Sequence, residues 1–122
     1  MDAFFKKRGD NMWEWNKYEI VLLIEAVKQI NNGAARGTTL KKLSKKLRRM
    51  AKNRGENIGE QYRNYRGMNT KAHNIEYLMY GIEDKYYKPQ PGFREMVAIH
   101  GTPQYERLLF EAEAMVKGKE EA

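Results

Sequence analysis

The sequence predicts an all-α fold: a compact bundle of five to six short helices that includes a helix-turn-helix-like pair. Three observations predict it. Aliphatic residues recur at helical spacing in several separate segments. Helix-start and helix-stop residues bracket those segments, with Asn-x-x-Glu twice, Thr-Pro once and glycine at the ends. Strand-type alternation of apolar and polar residues occurs nowhere in the chain.

Residues 1–12 read as a flexible basic arm carrying Lys6, Lys7 and Arg8. Residues 13–82 read as a helical core of DNA-binding type. Its first helix follows Trp13 and Trp15 and starts at Asn16 with Glu19 three residues on, a capping-box spacing. Ile20, Leu23, Ile24, Val27 and Ile30 form its apolar face, which Val21 and Leu22 widen. Asn31-Asn32-Gly33 ends it. Gly37 and Thr38 open a second helix that runs to about Arg54, with Gly55 as its stop. Asn57 and Glu60 repeat the cap spacing and predict a short helix with Ile58, Tyr62 and Tyr65 on one face, ended by Gly67. Asn69 or Thr70 then caps a helix that buries Ile75, Leu78 and Met79 and stops near Gly81.

Residues 83–92 read as a Tyr/Pro-rich ordered loop, with Tyr86, Tyr87, Pro89, Pro91 and Gly92 breaking the periodicity. Residues 93–118 read as C-terminal helices packed on the core. The first is short, from Phe93 to Ile99. The second is capped by Thr102, has Pro103 at its first position and buries Leu108, Leu109, Ala112 and Met115. Residues 119–122 are a tail.

The charge is concentrated in the second helix. Between Thr38 and Gly55 lie eight basic residues and no acidic one: Lys41, Lys42, Lys45, Lys46, Arg48, Arg49, Lys52 and Arg54. The formal net charge is +7, so everything outside that segment sums to −1. Leu40, Leu43, Leu47, Met50 and Ala51 make the opposite side aliphatic. An ordered basic stripe is the electrostatic footprint of a polyanion binder. A solvated helix face, or a face for an acidic protein partner, is the competing explanation. A purely structural face mixes signs, because like charges at i,i+4 cost a few tenths of a kcal/mol per pair. The absence of any acidic residue inside the stretch favours phosphate contact by Lys41, Lys42, Lys45, Lys46, Arg48, Arg49 and Lys52.

The short helix after Gly55 supplies the second half of the helix-turn-helix-like pair. Gln61, Arg63, Asn64 and Arg66 carry base-reading chemistry, since Arg pairs with guanine and Asn or Gln with adenine. The alternative is structural, with Arg63 and Asn64 holding helix ends or backbone carbonyls. Tyr62 and Tyr65, interleaved with arginines, suit base stacking, but tyrosines at i and i+3 are more often core. Tyr77, Tyr80, Tyr86 and Tyr87 either pack the following loop or form a partner patch.

Other chemistry is thin. There are no cysteines, which removes disulfides, thiol catalysis and cysteine-bound zinc. His73 and His100 lie far apart and lack metal-ligand spacing. No nucleophile triad, phosphate loop or dinucleotide fingerprint is present. The expectation is a non-enzyme without metal or cofactor. The longest apolar run, Ile20 to Ile24, is far short of the ~20 residues of a membrane span, and a cytoplasmic protein is expected.

Three stretches together resemble a known bacterial module. They are Trp15-x-x-x-Glu19 with its apolar helix, Leu43-Ser44-x-x-Leu47-Arg48-x-x-Ala51, and Ile58-x-x-x-Tyr62-Arg63-Asn64-x-x-Gly67-Met68-Asn69. The module stands at the N-termini of HNH-type restriction endonucleases and also occurs as a small stand-alone protein of phages and mobile elements. The resemblance covers about residues 13 to 80, and Tyr-Arg-Asn-x-x-Gly-Met is its most specific part. It implies a DNA-associated accessory domain, with nuclease activity elsewhere in the longer relatives; taken with the basic stripe, the expectation is an accessory or regulatory protein whose partner is duplex DNA or an RNA-containing complex. The His-Asn-His nuclease segment and its zinc-binding cysteines are missing from this sequence. The stand-alone form implies an alternative, a phage-encoded, anti-CRISPR-like inhibitor that binds a host defence nuclease complex.

Overall fold

A computed structural model describes residues 14–83 and 90–118. It contains five helices: α1 (Lys17–Asn31), α2 (Arg36–Asn53), α3 (Tyr65–Tyr80), α4 (Phe93–Ala98) and α5 (Pro103–Lys117). The fold is all-helical, as expected. The arm 1–12, the tail 119–122 and the tyrosines and proline at 86, 87 and 89 lie outside the described residues.

α1 is the central helix, and each of the other four packs against it. Its composition explains this. Ile20, Val21, Leu22, Leu23 and Ile24 point around the whole helix, and all are buried. A turn apolar on every side is stable only when covered on every side. The expected capping box is present: Asn16 Oδ1 accepts from the Glu19 amide at 2.9 Å, and Glu19 Oε1 accepts from the Asn16 amide at 3.0 Å. Gly33, at φ +107, turns the chain into α2.

α2 places Leu40, Leu43, Leu47, Met50 and Ala51 in the core, as its periodicity predicts. It starts at Arg36, just ahead of the expected Gly37-Thr38. Arg36 ties it to α3 through Asn69 Oδ1 and Glu76 Oε2, both at 2.7 Å. At its other end Asn53 Nδ2 donates to the Met115 and Val116 carbonyls, which closes the last turn of α5. α5 begins with Thr102 as N-cap and Pro103 in the first turn. It is anchored by Tyr105, which is fully buried and donates its hydroxyl proton to Glu25 Oε2 of α1 at 2.7 Å.

The expected short helix at 58–66 does not form. Residues 54–64 are turns and irregular backbone, and they connect α2 to α3. The basic helix therefore lacks its expected 58–66 partner, and α2 instead packs on α3 across the 54–64 connection. Arg63 has φ +50, a left-handed conformation that a right-handed helix cannot run through. Asn64, not Asn57, is the working cap. Its Oδ1 accepts from the Gly67 amide at 3.0 Å, so α3 starts at Tyr65, ahead of the expected Asn69 or Thr70. Gly67 lies inside the first turn of α3 instead of ending a helix.

Leu47 is fully buried between α2 and the rest of the core. Leu47→Ala should cost about 2–5 kcal/mol of stability, read from urea unfolding.

Candidate nucleic-acid interface

Beyond Arg36, the basic residues of α2 fall into two rows set by the helix period. Lys41, Lys45, Arg48 and Lys52 form one row; Lys42, Lys46 and Arg49 form the other. All are exposed except Arg48, which is half-buried.

The second row faces α5 and its carboxylates. Lys46 Nζ lies 3.3 Å from Glu113 Oε2. Lys42 shares a cleft with Lys46, Glu25 and Glu113. Lys46, expected at phosphates, sits instead against a carboxylate, while Lys42 is exposed and has no ion pair among the described residues.

The first row runs beside the 59–65 segment. Arg48 does not face outward for phosphate. Its Nη1 donates to the carbonyls of Gly59, Glu60 and Tyr62 at 3.0, 3.4 and 2.6 Å. Ser44 Oγ, one turn earlier, donates to the Arg63 carbonyl at 2.6 Å. Together they fasten the connection to α2. Lys41 Nζ stands 5.8 Å from the centre of the Tyr65 ring, a cation–π contact. Lys41, Lys45 and Lys52 have no carboxylate partner among the described residues. Lys45, Arg49 and Lys52 also line an open cleft with Arg48 and Asn53.

The expected base-proximal set is divided. Arg63 is only 4% exposed and pairs with Glu19, itself 1% exposed. Arg63 Nε and Nη2 donate to the two Glu19 oxygens, each at 3.0 Å, and Nη2 also reaches the Glu14 carbonyl at 2.7 Å. The Arg63 guanidinium lies 4.8 Å from the Trp15 ring and 4.6 Å from the Tyr62 ring. Reading a base requires an exposed, unoccupied fork, so Arg63 is a scaffold residue. Asn64 is a helix cap, and its Nδ2 donates to Gln61 Oε1 at 3.0 Å. Gln61 and Arg66 are exposed. Tyr62 is core, with its hydroxyl donating to Glu19 Oε2 at 3.0 Å, while Tyr65 is exposed.

Gln61, Asn64 and Arg66 meet in a cleft that also includes Trp15, Thr70 and Lys71. The last three were not selected from the sequence. Had α3 been placed from Tyr65, Gly67, Thr70 and Lys71 would have read as one helical face at i, i+3 and i+4. Burial, and then the positive charge of Arg63, hold the Lys71 ammonium below the ordinary lysine pKa.

His73 Nδ1 lies 3.4 Å from Glu76 Oε1, and His100 packs edge-on against Tyr105. No group of three metal-ligating side chains occurs among the described residues. Among them, too, no helix is long and apolar enough to cross a membrane. No protein family, curated protein or solved structure matches the chain.

Removing one member of a buried ion pair leaves the other charge uncompensated. Arg63→Ala and Glu19→Gln should each cost about 3–5 kcal/mol, whereas Asn64→Ala should cost about 0.5–2 kcal/mol as a lost cap. Urea unfolding of the three variants checks the order.

Alkaline stability follows from the same cluster. Burial, and then the Glu19 charge, push the Tyr62 hydroxyl from 10.0 up to about 12. Burial and Glu25 raise Tyr105 as well. The folded state keeps protons that the unfolded chain releases. Stability should therefore be full below pH 10 and fall as pH rises through about 12. Tyr62→Phe should flatten part of that fall in melting curves taken across the range.

Proposed function

We propose that this chain binds nucleic acid, with Lys41, Lys45 and Lys52 of α2 on the phosphates. The observation that carries the reading is this one ridge of exposed lysines with no carboxylate against it. On an α-helix, Lys41 to Lys52 spans about 16 Å. That is about half the ~34 Å repeat of a duplex, a length over which one row of cations can follow one strand. Duplex DNA is the partner class favoured by the ridge, and the resemblance of residues 13–80 to the HNH-associated module points to the same class.

Phosphate contacts fix position without reading sequence. With Arg63 and Asn64 held in the scaffold, only Gln61 and Arg66 of the expected base-reading set stay exposed, so the duplex binding proposed here is of low sequence specificity. The same observation favours a second reading. A basic ridge without a reading helix also suits the anionic surface of a defence nuclease complex, as an anti-CRISPR-like inhibitor would require.

Three phosphate contacts imply a slope of about −3 for log affinity against log salt. Fluorescence anisotropy with random-sequence duplex DNA should give that slope. A flat slope, or no binding at low salt, removes the nucleic-acid reading and leaves the protein-partner one. Lys41→Glu combined with Lys45→Glu and Lys52→Glu should abolish binding while shifting stability by no more than ~0.5 kcal/mol per site. Lys46→Ala should change affinity little. Arg48→Ala should instead lower stability by about 1–3 kcal/mol, because it unfastens the connection and leaves the part-buried Tyr62 carbonyl without its donor.

A further inference from the structure

The connection held by Arg48 has the α2 ridge on one side and a second cleft on the other. This cleft, about 460 Å³, opens between Trp15, the 61–64 turn and the first turns of α3. The volume falls in the range of small-molecule sites, ~300–1,000 Å³. The α2 ridge accounts for neither the cleft's position nor its chemistry.

The cleft has an apolar base and a rim on which cationic donors predominate. Trp15 and Met68 belong to its lining and are almost wholly buried, so they form its depth. No carboxylate lines it among the described residues. Gln61 Oε1 accepts from Asn64 Nδ2 at 3.0 Å. That bond leaves the Gln61 amide nitrogen as a donor. Arg66 and Lys71 can only donate, and neither has a carboxylate partner among the described residues. A complementary ligand is therefore anionic and rich in acceptors, and it carries a planar apolar body for the Trp15–Met68 side. A nucleotide has all three properties. The ridge also leads to the cleft, since Tyr65 lies under Lys41 and adjoins Arg66 in the chain.

We infer that this cleft receives one unpaired nucleotide of a strand lying on the α2 ridge. Its phosphate meets Arg66 and Lys71, its base enters toward Trp15 and Met68, and the Gln61 amide donates to a base carbonyl. The inference rests on the nucleic-acid reading and adds to it a preference for unpaired strand. It also gives Lys71 a counter-charge: a phosphate there offsets the burial and the Arg63 charge that hold its pKa down.

The test compares an oligothymidylate of about twelve nucleotides with a blunt duplex, using the wild-type chain, the Arg66→Ala/Lys71→Ala double variant and the Lys41→Ala/Lys45→Ala/Lys52→Ala triple variant. The single strand should bind wild type at least as tightly as the duplex. The double variant should weaken the single strand about tenfold or more and the duplex by less than about threefold. The triple variant should weaken both. Because Lys71 is half-buried, a measurement on the wild-type chain accompanies the variants. Thymidine 5′-monophosphate should shift the Gln61 side-chain amide and Trp15 indole resonances, and inorganic phosphate should shift them far less. Duplex binding without single-strand binding overturns this inference and leaves the ridge reading standing. So do equal losses on both probes in the double variant, or shifts that inorganic phosphate reproduces. Failure of both probes to bind at low salt overturns the two together.

Discussion

The structure depends on one buried ion pair. Glu19 receives four donors: the Asn16 amide, Arg63 Nε, Arg63 Nη2 and the Tyr62 hydroxyl. One carboxylate thus starts α1 and holds the α2–α3 connection against it. Desolvating both charges costs several kcal/mol per ion, and the pair recovers that only with good geometry and satisfied lone pairs. Here both Glu19 oxygens are bridged by one guanidinium, and aromatic rings cover the guanidinium on two sides. The cluster contributes chiefly by dictating where the chain must go. Arg63 can reach Glu19 while its backbone takes φ +50. That backbone places Asn64 as the cap of α3, and the cap sets which residues of α3 face the cleft and which face the core.

Arginine and lysine are divided by task. Arg36, Arg48 and Arg63 each make several hydrogen bonds to other segments of the same chain. A planar fork with fixed donor directions suits such multiple, directional contacts. Lys41, Lys45 and Lys52 make no such contacts and remain at the surface. An ammonium on a flexible stem suits a diffuse phosphate surface, where charge matters more than direction. The eight basic residues of the 38–55 segment are thus not one population. Arg48 fastens a loop, Arg54 pairs with Glu56 at 3.1 Å, Lys46 faces Glu113, Lys42 and Arg49 share its row, and Lys41, Lys45 and Lys52 form the ridge.

What the sequence made legible was local. The Asn16–Glu19 box, the Thr102-Pro103 start and the aliphatic stripe of α2 rest on residues a few positions apart, and all three are present in the structure. The 58–66 segment misleads because its cap spacing is also local, while the contact that decides it is not. Glu19 and Arg63 are forty-four positions apart, and no periodicity encodes their meeting. Tyr62 was legible as core. Tyr65 was not legible as exposed, because the helix expected to pair the two on one face does not exist. The cleft was hidden for the same reason. Its residues come from the entry to α1, the turn and α3, and only the Glu19–Arg63 cluster brings them together.

The Tyr-Arg-Asn-x-x-Gly-Met stretch illustrates how one pattern can suggest recognition yet be made of scaffold. Tyr62 and Arg63 complete the Glu19 cluster, Asn64 caps α3, Gly67 supplies the amide that the cap holds, and Met68 is buried. Each of these roles is internal. The residues left facing outward are those between or beside the motif positions, namely Gln61, Tyr65, Arg66 and Lys71. Their placement is nonetheless rigid, because each lies within a few residues of a buried anchor. Such rigidity matters for a ligand contacted by few groups, since a prepaid geometry lowers the ordering cost of binding. The ridge and the cleft are likewise linked through one element. Ser44 and Arg48 grip the connection from the ridge side, and the same connection supplies Gln61 and Asn64 to the cleft. A strand that engaged both would therefore meet two surfaces at a fixed separation. That fixed separation would favour partners whose shape matches it.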